Sequence, residues 1–189
     1  MPQPPNLPLI DWKGVFNSGL EYPAWITQGT SPENRQKMED RRQALVLDAP
    51  VLGFLGALPR PAHVIAIAED WCGDVVRHVP VLQRMAEAAP NLGVRFVTRA
   101  QHPDVFIRFL TNGGEAIPQF IFLSDQWVEC GHWGPMPEPH RELIARGKAC
   151  GNVAAARKKV SALYEADPGG QQVIAELLRL LGTACCSEP

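Results

Sequence analysis

The sequence predicts an α/β fold built around a mixed central sheet. The run from His63 to Ala68 is short, apolar on both faces and rich in β-branched residues, which is typical of a buried central strand. From there the chain follows the order strand, helix, strand, helix, strand, strand. Right-handed crossovers make the early strands parallel, and the runs 116–123 and 126–133 predict a hairpin that turns at Ser124 and Asp125. The hairpin adds an antiparallel edge to the sheet.

The first thirty residues predict an extended arm that lies against the rest of the protein. Prolines and scattered aromatic residues are mixed along this stretch. Its apolar residues indicate docking rather than free movement, and they are Leu9, Ile10, Trp12, Val15 and Phe16.

Two helix starts follow the arm. Ser31 can accept hydrogen bonds from the free amides of a helix start, Pro32 fits the first turn, and Glu33 suits its positive end. Most of the residues that follow are charged, so we expect a solvated outer helix. Asp48 is a capping residue for a second helix, whose apolar stripe consists of Val51, Leu52, Phe54, Leu55 and Leu58.

The segment after the central strand, residues 72–90, predicts a helix with Pro80 inside it. An interior proline costs a helix about 3 kcal/mol and normally kinks it. Residues 94–98 predict a second strand, and a short helix then stops at Asn112 and Gly113.

Residues 138–189 are helical in character. Asn152 is a helix cap, residues 168–170 break the pattern, and Gly182 closes a last amphipathic helix before a frayed tail. We expect three parts in one compact unit: residues 1–60 pack on the core, residues 61–137 form the core, and residues 138–189 form a C-terminal extension.

Composition excludes several classes of protein. Hydrophobic residues make up 46% of the 189 residues and charged residues 20%, which are ordinary values for a globular protein. The formal charge of −2 gives no basic field that would attract nucleic acid or anionic lipid. Neither a signal peptide nor a membrane-spanning run is present, so we expect a cytoplasmic protein without a membrane partner. The five cysteines form no CxxC pair and have no zinc-ligand spacing, so we expect no metal site.

Five features follow one another between residues 63 and 135. They are the buried strand, the tripeptide Trp71-Cys72-Gly73, Pro80 eight residues after the cysteine, Ile117-Pro118 at a strand start, and Gly134 sixteen residues later. Together they resemble the thioredoxin fold, over less than half of the chain. The resemblance implies a three-layer α/β/α arrangement, to which this chain adds an N-terminal arm with helices and a C-terminal helical extension. It also implies a cis Ile117-Pro118 bond beside Cys72, where the proline guides the incoming chain.

With its N-terminal arm and C-terminal helical segment, this chain resembles the larger thioredoxin-like proteins that carry a "WCGDC" sequence, and it departs from the family pattern at two positions. Val75 stands where the second cysteine is expected, and Ala66 stands where thioredoxins place a buried acid. A dithiol carrier releases its mixed disulfide with the second thiol, assisted by that acid. Intramolecular release through a CxxC is therefore excluded.

Two functions remain open. The first is monothiol chemistry, in which Cys72 attacks a protein or peptide disulfide, or a peroxide, and an outside thiol such as glutathione frees it. No organic cofactor is implied. Trp71, Ile117 and Pro118 would form the docking surface of the substrate. The helix amides of Gly73 and Asp74 would complete the site and stabilise the sulfur. The second is a non-catalytic module that binds an extended peptide in the groove between Trp71 and Pro118, with the extra helices forming a homodimer or partner surface. A glutathione transferase arrangement would need a longer helical segment than the fifty or so C-terminal residues.

Opposing effects act on the pKa of Cys72. The helix N-terminus lowers the pKa of a thiol, whereas the three nearby carboxylates of Glu69, Asp70 and Asp74 raise it. Arg77 is the only basic residue close in sequence. We expect a pKa below that of a free thiol.

The other cysteines have weaker signals. Cys130 lies near the start of the last strand and is expected in the core. Cys185 and Cys186 lie on the predicted tail, from which either could supply a resolving thiol to its own chain or to a neighbouring one. Nothing singles out Cys150.

Overall fold

A computed structural model describes residues 7–187 of the chain, and its centre is a mixed sheet of four strands. The strands are β1 (Ala62–Ile67), β2 (Leu92–Val97), β3 (Gln119–Ser124) and β4 (Glu129–Trp133), in the spatial order β2-β1-β3-β4. β2 is parallel to β1, whereas β3 is antiparallel to both β1 and β4. The mixed sheet with an antiparallel hairpin at one edge is confirmed.

β1 is the central strand that its composition predicts. The side chains of Val64, Ile65, Ala66 and Ile67 are fully buried, since the strand is covered on both faces. Its register pairs Ala66 with Phe96 of β2 and with Phe120 of β3.

Helices cover both faces of the sheet. They are α1 (Trp12–Ser18), α2 (Tyr22–Gln28), α3 (Pro32–Ala44), α4 (Ala49–Gly56), α5 (Gly73–Glu87), α6 (Pro103–Phe106) with the short 3₁₀ turn Ile107–Phe109, α7 (Glu138–Ala149), α8 (Val153–Ala166) and α9 (Gln171–Ala184). α5 and α9 pack together against one face, and α1 packs against the other. The predicted three-layer α/β/α arrangement is confirmed, and the division of the chain at residues 60 and 137 stays a prediction.

The predicted extended arm is wrong for the residues that form α1 and α2. Asp11 caps the N-terminus of α1, since its side chain accepts a hydrogen bond from the amide of Gly14. Val15 and Phe16 are buried as expected, and Ile10 and Trp12 are partly buried, whereas Leu9 is 87% exposed. The first six residues of the predicted arm lie outside the described part of the chain.

Both predicted caps of the next two helices are confirmed. The Ser31 hydroxyl accepts from the Asn34 amide, and the Asp48 carboxylate accepts from the Val51 amide. α3 is the outer helix that its charges indicate, with Met38 as its buried contact. The apolar stripe of α4 is only half right, because Leu52 and Phe54 are 44% and 40% exposed.

α5 runs from Gly73 to Glu87 and contains Pro80. Pro80 is buried among the apolar residues with which this helix covers the sheet. α5 therefore continues through the proline that the sequence singles out.

α9 lies antiparallel along β4. The indole of Trp133 donates to Glu176, and a Cβ on Gly131 would meet the side chain of Leu180. The predicted helix end at Gly182 is two residues early, since α9 ends at Ala184. The predicted tail is wrong at Cys185, which is 1% exposed because it packs into the core after α9.

Candidate functional site

Cys72 caps the N-terminus of α5, just beyond the end of β1. Its carbonyl accepts from the amide of Val76, and its half-buried side chain lies where the strand passes into the helix. Gly73, the first residue of the helix, is exposed and has no atom within 4 Å of where a Cβ would stand. This position leaves the Cys72 sulfur close to the free amides of the first turn.

Ile117 and Pro118 lie against Cys72 from the start of β3. The Ile117-Pro118 peptide bond is cis, and the Cys72 thiol donates to the Ile117 carbonyl over 3.4 Å. Gly134 follows β4 on the same side, where a Cβ would overlap the carbonyl oxygen of Pro118. The residue that follows the β3–β4 hairpin therefore packs against Pro118, which precedes the hairpin. Only glycine allows so close an approach of the two backbones.

Trp71 and Val75 differ sharply in exposure. Trp71 is 53% exposed beside Cys72, and its indole donates to Glu69 over 2.7 Å. Val75, at the position where the resemblance expects a second cysteine, is fully buried under the helix. The structure thus brings the six predicted site residues to one edge of the sheet, and these are Trp71, Cys72, Gly73, Asp74, Ile117 and Pro118.

Two of the three carboxylates near Cys72 in sequence are held by other groups. Glu69 accepts from Arg99, both from its backbone amide and from its guanidinium, and its pKa is lowered by these hydrogen bonds despite its burial. Asp70 is 7% exposed and accepts from the Ser31 amide over 2.6 Å. This hydrogen bond connects the start of α3 to the loop that carries Trp71.

The expected low pKa of Cys72 is wrong, because burial raises the pKa of its thiol above the ordinary value. The nearby amides of Val75 and Asp74 oppose this rise in pKa, the Asp74 charge adds to it, and the Arg99 charge lowers it. Burial is the largest of these effects. The thiol therefore rests in its protonated form, as its hydrogen bond to Ile117 requires.

Arg99 is the site residue that the sequence does not reveal. It follows β2, and its guanidinium lies 5.2 Å from the centre of the Trp71 ring. It donates to Glu69 on one side and, over 2.7 Å, to Glu115 on the other. One general rule points to this position. Because β1 and β2 are parallel, the loops that follow them lie at the same end of the sheet, so a residue just after β2 can reach the residues just after β1.

The C-terminal extension also reaches the site. Tyr164 of α8 lies near the carboxylate of Asp74, whose pKa is raised by burial and lowered in part by Tyr164. The Tyr164 hydroxyl lies 3.1 Å from Nε2 of the buried His78, and its ring stacks on that of His140 at 4.5 Å. Residues of the extension therefore set the surroundings of the first turn of α5.

Cys130 and Cys185 lie at the opposite end of the sheet. β4 runs parallel to β1 through their shared partner β3, so its first residues are level with the start of β1 and far from Cys72. α9 ends beside these residues. Resolution of a Cys72 disulfide by a tail thiol of the same chain is therefore wrong, and Cys130 is partly buried as a core contact.

Two cavities have residues of the site in their walls. One, of about 600 Å³, lies between α7 and the loop 111–116 and has Asp74 in its wall. The other, of about 550 Å³, lies beside Arg99 and Glu115. Within residues 7–187 no three His, Cys, Asp or Glu side chains are grouped as a metal site, and no helix has the length and apolarity to cross a bilayer.

Comparisons with known proteins agree with this architecture. No curated protein matches the chain. A crystal structure of a protein of unknown function from Pseudomonas aeruginosa is similar at a TM-score of 0.72 and 17% identity, covering 92% of this chain and 98% of that one. An HIV epitope-scaffold is similar at a TM-score of 0.70 and 16% identity, covering 91% and 98%. The family model described as thioredoxin matches residues 19–153, so the chain belongs to the thioredoxin family.

Proposed function

We propose that this protein carries out thiol–disulfide exchange with the single cysteine Cys72. The observation that carries the proposal is the position of its sulfur, between the first amides of α5 and the carbonyl that precedes the cis bond to Pro118. An extended substrate can pair with the backbone there while its disulfide faces the sulfur. We include in this proposal that the chain is related to the "WCGDC" proteins and has Val75 in place of their second cysteine.

The reaction has two balanced steps. The Cys72 thiolate attacks one sulfur of a substrate disulfide, so a mixed disulfide forms, the substrate S–S bond breaks and the other sulfur leaves as a thiolate. An outside thiolate, such as that of glutathione, then attacks the substrate sulfur of the mixed disulfide and frees the Cys72 thiolate. The net result is exchange of glutathione into the substrate disulfide, without a second protein thiol.

Glutathione-dependent reduction of a small disulfide such as hydroxyethyl disulfide tests this proposal. We expect turnover that is lost in Cys72→Ser and kept in Cys150→Ser, which removes an exposed thiol remote from the site. Insulin reduction with a dithiol reductant should be poor, because no resolving cysteine follows Cys72. Equal turnover by wild type and Cys72→Ser would exclude the proposal.

A binding module is the second candidate, and the raised pKa of Cys72 favours it. A thiol that stays protonated at neutral pH is a weak nucleophile, whereas the exposed Trp71 and the groove beside Pro118 suit an extended peptide. The extra helices would then form a homodimer or partner surface. The rate of Cys72 alkylation against pH, with Cys130 and Cys150 as references, separates the two: a Cys72 slower than both at neutral pH favours binding.

A further inference from the structure

Arg99 joins the two loops on either side of Cys72. Its Nε and Nη2 donate to Glu69, in the loop after β1, over 3.0 and 3.1 Å. Its Nη1 donates to Glu115, in the loop before Pro118, over 2.7 Å. The guanidinium is thus the cation of this site, and it lies against the ring of Trp71.

The two carboxylates are held very differently. Glu69 is 16% exposed and accepts four hydrogen bonds, three from Arg99 and one from the indole of Trp71. Glu115 is 65% exposed, and the bond from Nη1 is the one side-chain hydrogen bond that it makes within the described residues. An exposed ion pair of this kind contributes little stability. Another carboxylate can therefore replace Glu115 at Nη1 while Glu69 keeps the guanidinium in place.

A cavity opens at this ion pair. It has a volume of about 550 Å³, within the range of small-ligand sites. Its apolar wall consists of Pro103, Phe106, Ile107 and Leu110, and the Phe106 ring lies beside the Arg99 guanidinium. A ligand here would have its anionic end on the guanidinium, which itself lies against the Trp71 ring next to Cys72, and the rest of its length along that wall.

We propose that Nη1 of Arg99 recognises a carboxylate of the thiol that releases Cys72, and that Glu115 fills this position until that thiol binds. The inference rests on the proposed function and names its co-substrate class, a small thiol with a free carboxylate, of which glutathione is one. The carboxylate exchanges with that of Glu115, and the thiol sulfur then attacks the mixed disulfide as written above. The Arg99 charge also lowers the pKa of Cys72, which eases its departure as a thiolate.

Release of a mercaptoethanol mixed disulfide from Cys72 tests the inference. The protein is loaded with hydroxyethyl disulfide, so that Cys72 carries a mercaptoethanol mixed disulfide, and is then treated with glutathione or with its diethyl ester, which has the same thiol but no free carboxylate. The Cys72 and Cys150 peptides are quantified in the same digest, so that Cys150, exposed at the end of α7, corrects for the intrinsic difference between the two thiols.

We expect glutathione to release Cys72 roughly twofold to fivefold faster than the ester after this correction, as suits one exposed charge pair. Arg99→Met should abolish the preference, and Arg99→Lys should restore part of it. Glu115→Gln, at an exposed position with little risk to folding, should increase it. Arg108→Met, at a neighbouring arginine that donates to the Pro8 carbonyl, is the matched control and should keep it.

A corrected preference that is absent in wild type, or that survives in Arg99→Met and is unchanged in Glu115→Gln, would overturn the inference while leaving monothiol exchange intact. Failure of both thiols to release Cys72 would instead refute the proposed function. The two failures are therefore distinct in one experiment.

Discussion

The stability of this protein should fall as the pH drops below neutral, and His78 gives a specific reason. Its ring is 1% exposed between α5 and the C-terminal extension, where Nε2 faces Tyr164 and Nδ1 has no partner within the described residues. Burial, with the charges of Arg77 and Arg41, lowers the pKa of His78 well below its ordinary value. His140, 2% exposed on α7, has a pKa that burial lowers in the same direction.

The sign follows from proton binding. As the pH falls through about 6.5, the unfolded chain protonates its histidines while the folded protein keeps His78 neutral. The unfolded state then binds more protons, so the free energy of unfolding decreases by about 1.4 kcal/mol for each further pH unit. Between about pH 6.5 and about pH 5, His78 alone should remove about 2 kcal/mol.

Urea unfolding at a series of pH values measures this loss. His78→Leu should flatten the pH dependence by the stated amount, whereas His132→Gln, at an exposed position on β4, should keep the slope of the wild type. Carboxylates add to the acid loss in every variant, so the difference between the variants is the decisive quantity. Should the His78 ring of the folded wild type titrate near its ordinary pKa by NMR, or should the two slopes agree, the reasoning fails.

Three further predictions concern the site itself. Val75→Cys should create a resolving thiol one turn from Cys72 and raise insulin reduction at least about tenfold, because intramolecular attack replaces an outside thiol; no gain in the insulin assay would show that this thiol cannot reach Cys72. Asp74→Asn removes a negative charge that raises the pKa of Cys72, so alkylation of Cys72 at neutral pH should become severalfold faster, and an unchanged alkylation rate would contradict the electrostatic assignment. Asp70→Ala leaves the part-buried Ser31 amide without its acceptor and should cost about 1–3 kcal/mol in urea unfolding, and a loss below about 1 kcal/mol would count against the attachment of the N-terminal segment through Asp70.

Local sequence was enough for the sheet, whereas the pairing of Cys72 with Pro118 came from the resemblance to the thioredoxin fold. The period of apolar residues in β1 and the spacing of the hairpin reflect contacts within a few residues, which a sequence displays directly. The N-terminal segment was harder, because α1 and α2 have seven residues each and no long apolar period. Their helical form depends on packing, as with Phe16 against the ring of His63.

The pKa of Cys72 could not be obtained from its neighbours in sequence. Three acidic residues within three positions of the cysteine suggested a balance between negative charge and helix amides. In the folded chain Glu69 turns to Arg99 and Asp70 turns to Ser31, so only Asp74 adds its charge to the effect of burial. Sequence proximity therefore overstated the number of charges that act on the sulfur.

Burial outweighs charge at Cys72 because α5 and the loop before Pro118 close over it together, and such closure is a property of the tertiary fold. The cation that opposes the effect, Arg99, comes from the far side of the β1–β2 crossover and is held there by acidic side chains. The reactivity of Cys72 therefore depends on how much of the positive charge of Arg99 is not neutralised by these acidic side chains. When a substrate carboxylate replaces that of Glu115, the net charge around Cys72 is unchanged. In Glu115→Gln a negative charge is lost, so more of the positive charge of Arg99 acts on the sulfur. The variant should therefore accelerate the alkylation of Cys72 by a neutral reagent, independently of any effect on carboxylate recognition.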